Sequence, residues 1–298
     1  MSKMLNASAL EAAERFTWLN ARLIDRLRFA HLFRGGAATP VVAALRPYQN
    51  ADGGFGNALE PDFRGPVSQP ATVEAALRVL DEVDAFDDPM VVRACDYLAG
   101  IAAPDGGLPS VLPSVAAYPR APWWQTEGEQ PPGNLLPTAS IVGLLLAHGV
   151  QHPWIEPATD FCWLRTDRLD RPDAYQMRSV VSFLDRVPDR ARAQRALAQV
   201  GPKILDQGLV ALDPDAGGEV HFPLDFAPEP SSLARGLFTD DVIEAHLDAL
   251  VAGQRGDGGW TFNWPVWTPV VEPEWRGAVT IEMLRRLRAY GRLDSPGG

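Results

Sequence analysis

The chain has 298 residues, with 38 acidic against 27 basic side chains and a formal net charge of −11. A field of that sign disfavours nucleic acid and anionic lipid as partners. Two cysteines exclude a disulfide framework, and 27 prolines with 26 glycines mark a turn-rich chain that stops short of low complexity. Cys95 and Cys162 read as buried thiols of a reducing compartment. The first residues, MSKMLNASALEAAERF, lack the apolar core of a secretory signal. The longest apolar stretch, 141–150, contains His148 and falls short of the roughly 20 residues of a membrane span. The expectation is a cytoplasmic protein with no integral membrane segment.

In chain order, apolar spacing predicts an N-terminal closing helix over 8–32 and then helices over 41–48, 71–83, 90–101, 138–150, 155–165, 173–186 and 189–205. A short helix over 231–237 and longer ones over 242–253 and 278–290 complete the set, about eleven in alternating pairs. Thr39-Pro40, Asp88-Pro89 and Asp240-Asp241 supply caps and first-turn residues. Strand patterns are confined to 209–212 and 219–222. The fold class is all-α, expected as a single domain over 1–298 with 293–298 as a flexible tail.

The chain is internally repeated. Asp-Gly-Gly-apolar occurs at Asp52-Gly53-Gly54-Phe55, Asp105-Gly106-Gly107-Leu108 and Asp257-Gly258-Gly259-Trp260. Phe33, Phe86 and Phe238 stand at one common offset upstream of the Asp, and Leu45, Leu98 and Leu250 at another. A degenerate fourth copy is Asp215-Ala216-Gly217-Gly218. Each unit reads as an outer helix closed by a glycine turn, a long proline-rich loop, and an inner helix. Loops of that length, all on one side of their hairpins, favour a closed ring over an open solenoid.

Leu45-x-x-x-Gln49-x-x-Asp52-Gly-Gly-Phe55 and Leu250-x-x-x-Gln254-x-x-Asp257-Gly-Gly-Trp260 resemble the QW repeats of squalene–hopene cyclases and their relatives, a motif also found in protein prenyltransferase β subunits. The middle unit has Ala102 where the Gln belongs. The resemblance spans about residues 33–292 and implies an (α/α) toroid of about five to six hairpins, with the motif itself structural. The alkene-protonating cyclases carry Asp-x-Asp-Asp where an inner helix begins. Here the matching positions read Ser68-Gln69-Pro70-Ala71, Asn134-Leu135-Leu136-Pro137 and Trp275-Arg276-Gly277-Ala278, so that acid is absent in its usual form. The prenyltransferase zinc set has no counterpart, because no Cys and His share a metal-ligand spacing. No cofactor is expected. The nearest approach to a Mg²⁺ motif, Asp240-Asp241-Val242-Ile243-Glu244, falls on the register of a helix cap.

The candidate site residues come from the loops. Glu60-Pro61-Asp62-Phe63-Arg64-Gly65 recurs as Glu272-Pro273-Glu274-Trp275-Arg276-Gly277. Arg64 and Arg276 either clamp loop carboxylates or face an anionic substrate, with Glu60 or Glu272 as acid or base. Asp173 opens an inner helix and reads either as a cap or as an acid pointing inward. Trp123, Trp124, Phe222, Phe226, Trp264 and Trp267 lie on loops, where aromatics bind a prenyl chain or stabilise carbocations. Among them His221 and Asp225 are the polar groups placed for proton transfer. The leading expectation is a terpenoid-cyclase-like enzyme with a non-standard acid, acting on an isoprenoid or prenylated hydrophobic small molecule in an aromatic-lined central cavity. Two alternatives stay open: a non-catalytic isoprenoid-binding or scaffold protein, and a carbohydrate-active (α/α)-barrel lyase or hydrolase. Oligomeric state is not legible.

Overall fold

Most helices begin and end where capping chemistry permits. The structure, a computed structural model, describes residues 2–294, so 295–298 of the expected tail lie outside the described residues. Helix α1 (Ala7–Asn20) starts on Asn6, whose side chain accepts from the Ala9 N–H. Helix α2 (Leu23–Arg34) stops on Gly35 at φ +68°. The single helix expected over 8–32 is thus two. Ala21 is extended between them, and the Asn20 amide donates to the Phe16 carbonyl and competes with continuation. Then come α3 (Thr39–Leu45), α4 (Pro70–Glu82), α5 (Met90–Ile101), α6 (Leu135–Ala147), α7 (Ile155–Asp167), α8 (Ala174–Arg186) and α9 (Arg190–Val200). The last segments are α10 (Pro202–Asp206), α11 (Pro223–Phe226), α12 (Asp240–Ala252) and α13 (Val271–Ala289). The helix expected over 189–205 breaks at Gly201-Pro202, where proline has no N–H to continue the ladder. Residues 233–237 make only a 3₁₀ turn. Neither strand candidate forms; one backbone bond, Ala211 N–H to the His221 carbonyl at 2.8 Å, joins their segments.

The chain divides into two compact units, one of residues 37–200 and one built from the two chain ends, up to Gly36 and from Gly201. In the 37–200 unit α6 is apolar on nearly every side and buried from Pro137 to Leu145, packed by α4, α7 and α8. Gly143 permits the approach of α8, since a Cβ there would lie 3.0 Å from Phe183 Cα. In the unit of the chain ends α13 packs on α1, α2 and α12. Leu5 donates to the Arg292 carbonyl at 2.8 Å, and Asp294 donates to that of Leu5 at 3.0 Å. No described helix is long and apolar enough to cross a membrane. Both cysteines are buried free thiols, and burial, with Asp96 adding to it, pushes Cys95 up to about 12.

The three glycine turns are built alike. The Asp accepts from the second Gly N–H, at 2.9, 3.3 and 3.1 Å for Asp52, Asp105 and Asp257. The first Gly holds φ +89°, +86° and +97°, and a Cβ there would come within 2.3 Å of Arg93 O, 2.6 Å of Pro157 O and 2.2 Å of Ala12 O. So α5 and α7 each back the turn before them in the chain, and α1 backs the Asp257 turn. Gln49 donates to Gly53 O and Met90 O, and Gln254 to Gly258 O and Ala9 O, at 2.8–3.0 Å. Where Ala102 replaces the glutamine, Trp154 Nε1 donates to Gly106 O at 3.1 Å. The apolar residue after each glycine pair is bonded to an inner-helix threonine: Phe55 to Thr72, Leu108 to Thr138, and Trp260 to Thr280.

Candidate functional site

In the 37–200 unit, the candidate residues lie in tight turns and caps. Glu60 is half-buried and accepts the Asp62 N–H at 2.8 Å. Arg64 is half-buried, its N–H on the Pro119 carbonyl at 3.0 Å. Trp124 is buried and stacked on Phe63, ring centres 5.4 Å apart, while Trp123 is exposed. Asp173 is exposed and caps α8 by accepting from the Gln176 N–H at 2.8 Å. Two open depressions mark this unit. One, of about 520 Å³, lies between Asp105, Asn134, Leu164, Arg168 and Arg171, and the other, of about 600 Å³, lies around His152 and Glu156.

The unit of the chain ends gathers more. The stretch Glu272–Gly277, expected as loop, forms the first turns of α13: proline is tolerated in a first turn, and Glu272 and Glu274 favour the positive end of the helix dipole. Glu272 is exposed there. Arg276 makes two 2.8 Å bonds to Asp257, donates to Trp260 O at 3.1 Å, and lies over the Phe16 ring at 4.5 Å. It therefore ties α13 to the last glycine turn, and its carboxylate partner is the turn Asp.

His221, Phe222, Asp225 and Phe226 come together around α11. Asp225 accepts the Phe222 N–H at 2.8 Å and the Arg286 guanidinium at 2.8 Å, and His221 Nδ1 lies 3.8 Å away. Arg286 is buried and also pairs with Glu282, one turn back on α13. Burial alone would lower the Arg286 pKa; the carboxylates of Glu282 and Asp225 outweigh it and keep the guanidinium charged. Its Nε is buried without a partner. Phe222 packs on the ring of buried His246, 5.3 Å between centres, and the His246 Nε2 donates to the Leu212 carbonyl at 3.0 Å. Burial depresses the His246 pKa, against the opposing pull of that carbonyl and of Asp225, so His246 favours the neutral form.

An aromatic group adjoins this segment. Trp264 stacks on Phe262 at 4.4 Å and meets Trp275 edge-on at 5.1 Å, and Asn263 between them in sequence donates to the Val220 carbonyl at 2.7 Å. Trp267 is half-buried on the same loop. Trp275, Val279, Glu282 and Arg286 recur at helical spacing, so one face of α13 carries the aromatic contact and the ion pairs. Sequence reasoning missed Arg286 and Phe262. The available signal for Arg286 was its place four residues after Glu282 on that face. Asp240 and Glu244 pair with Arg235 and Arg292, and among the described residues no three His, Cys, Asp or Glu side chains cluster as a metal would need.

No protein-family profile and no curated protein matches the chain. Solved structures do. A protein from Actinoplanes is similar at 19% identity with a TM-score of 0.61, covering 96% of this chain and 99% of its own. A variant of the type II terpene cyclase MstE from Scytonema, in complex with geranylgeranyl dihydroxybenzoate, is similar at 13% identity and TM-score 0.55, covering 94% and 96%. The apo form of MstE gives 14% and 0.52, covering 94% and 88%. The likeness is one of fold, and the chain has an all-α, terpene-cyclase-like (α/α) fold.

Proposed function

We propose that the chain is an enzyme of terpenoid-cyclase type that acts on an isoprenoid or prenylated small molecule at the aromatic and charged group of its chain-end unit. One observation carries the reading: a buried guanidinium holds the Asp225 carboxylate beside His221, Phe222 and Phe226 flank it on the same segment, and the loop of Phe262 and Trp264 is bonded to that segment through Asn263. The likeness of fold to a terpene cyclase supports it. Aromatic faces attract a carbocation and bind an apolar chain. Asp225, paired with Arg286, offers negative charge to a cation. His221 is the proton carrier: as imidazolium it protonates the substrate, and as imidazole it recovers a proton when the last cation collapses to an alkene. No proton is consumed, and the product is an isomer. An acid of that strength suits an epoxide or a polarised alkene better than a plain polyene.

Incubation with polyprenes, their epoxides and prenylated phenols, followed by mass spectrometry, tests this. A cyclic product of unchanged mass is expected, with His221→Ala slowing its formation by about 100-fold or more. Binding without turnover moves the assignment to an isoprenoid-binding protein, and no binding of any of them overturns the reading.

A further inference from the structure

The depression of about 520 Å³ in the 37–200 unit has a lining at odds with the acidity of the chain. Its charged residues are Asp105, Arg165, Arg168, Asp170 and Arg171. Asp105 is occupied: it accepts the Gly107 N–H at 3.3 Å and pairs with Arg165 at 3.2 Å. Asp170 also has a partner. The Arg168 and Arg171 side chains make no hydrogen bond or ion pair among the described residues, and both residues line this one concavity. Asn134 adds a donor, because its oxygen is taken by the Leu136 N–H at 3.0 Å and Gln176 Nε2 at 3.1 Å while its NH₂ remains. Beside Gly133 and Gln176, the rest of the lining is apolar: Leu135, Phe161, Leu164 and Leu169. Leu164 is 47% exposed, an exposure that a bound apolar group would relieve.

We infer that this groove binds a small amphiphilic anion, a phosphate or carboxylate head on an apolar tail, with Arg168 and Arg171 on the head and Leu164 under the tail. Guanidinium donors match the planar or tetrahedral oxygens of such heads in two-point contacts. The volume is that of a small-molecule site. The inference is independent of the proposed reaction, whose residues belong to the other unit.

Calorimetric titration of the full chain with octyl phosphate, octanoate, octanol and inorganic phosphate separates the contributions. Octyl phosphate or octanoate is expected to bind one to one, and whichever is the tighter identifies the head. Arg168→Gln with Arg171→Gln should weaken that binding at least tenfold, and raised salt should weaken it in the wild type. Leu164→Ser should weaken octyl phosphate but leave inorganic phosphate unchanged. All three positions are exposed, and an unchanged melting temperature will report that the variants fold. Octanol binding as tightly as the anions, or the double arginine variant binding like wild type, overturns the inference.

Discussion

Asp25 has no exposed surface, and Arg22 and Arg28 reach its two oxygens at 2.8 and 2.7 Å. Burial alone would raise its pKa; the two guanidiniums outweigh this and hold it below the ordinary aspartate value. The unfolded chain therefore takes up this proton more readily than the folded one. The contribution to stability is whole above about pH 4 and is lost as pH falls through the depressed folded value. Asp25→Asn leaves two largely buried cations without their anion, and should cost about 3–5 kcal/mol at neutral pH. Urea melts between pH 7 and pH 3 will check it: the variant is expected to lose less stability than wild type across the acid range. A loss at pH 7 below about 1 kcal/mol would show that the triad acts as a surface pair.

The glycine turns were legible because their chemistry is local: a left-handed glycine and an Asp bonding two residues on are both written in four consecutive letters. Trp154 was not legible as the substitute for a missing glutamine, since its partner lies 48 residues away and any N–H donor serves. Trp154→Phe keeps an aromatic ring but removes the donor and part of the buried volume, and should cost about 1 kcal/mol or more, read from thermal or urea unfolding. Gly258 and Gly128 separate the two demands on a turn glycine. Both have positive φ, +97° and +90°, but a Cβ meets α1 backbone at the first and open space at the second. Gly258→Ala should cost about 1–3 kcal/mol beyond Gly128→Ala, the excess measuring overpacking against Ala12. Equal costs would mean that α1 yields freely. The repeated Glu-Pro-x-aromatic-Arg-Gly string taught the opposite lesson. Its first copy is a turn and its second is helix, because Pro66 follows Gly65 and bars helix there, whereas Ala278 follows Gly277.

At the scale of the molecule, repetition made the all-α class and most of the helices readable, while the charged site was only half readable. His221 and Asp225 stand out in sequence by their spacing. Arg286, which pairs with Asp225, is one of many arginines, and only the packing of α13 selects it. The same distinction governs the chain ends. Nothing in the sequence pairs residues near 5 with residues near 292, yet Leu5 exchanges backbone bonds with Arg292 and Asp294, and Arg292 reaches Lys3 O, Glu244 and Asp248. Helix α1 follows directly and backs the Asp257 turn as α5 and α7 back the other two. The order of the hairpins in the chain is then separable from their packing. Joining the ends through a linker of about 6 glycine and serine residues, and reopening the chain between Gly128 and the exposed Glu129, cuts no helix and no packed glycine. The permutant is expected to fold cooperatively with a melting temperature within about 2 °C of the parent, the shift that corresponds to about 1 kcal/mol in a chain of this size. Calorimetry and circular dichroism of the two proteins decide it. A permutant that stays unfolded, or that melts in two separated steps while the parent melts in one, would mean that continuity through residues 127–129 holds the fold and the pairing of the ends does not.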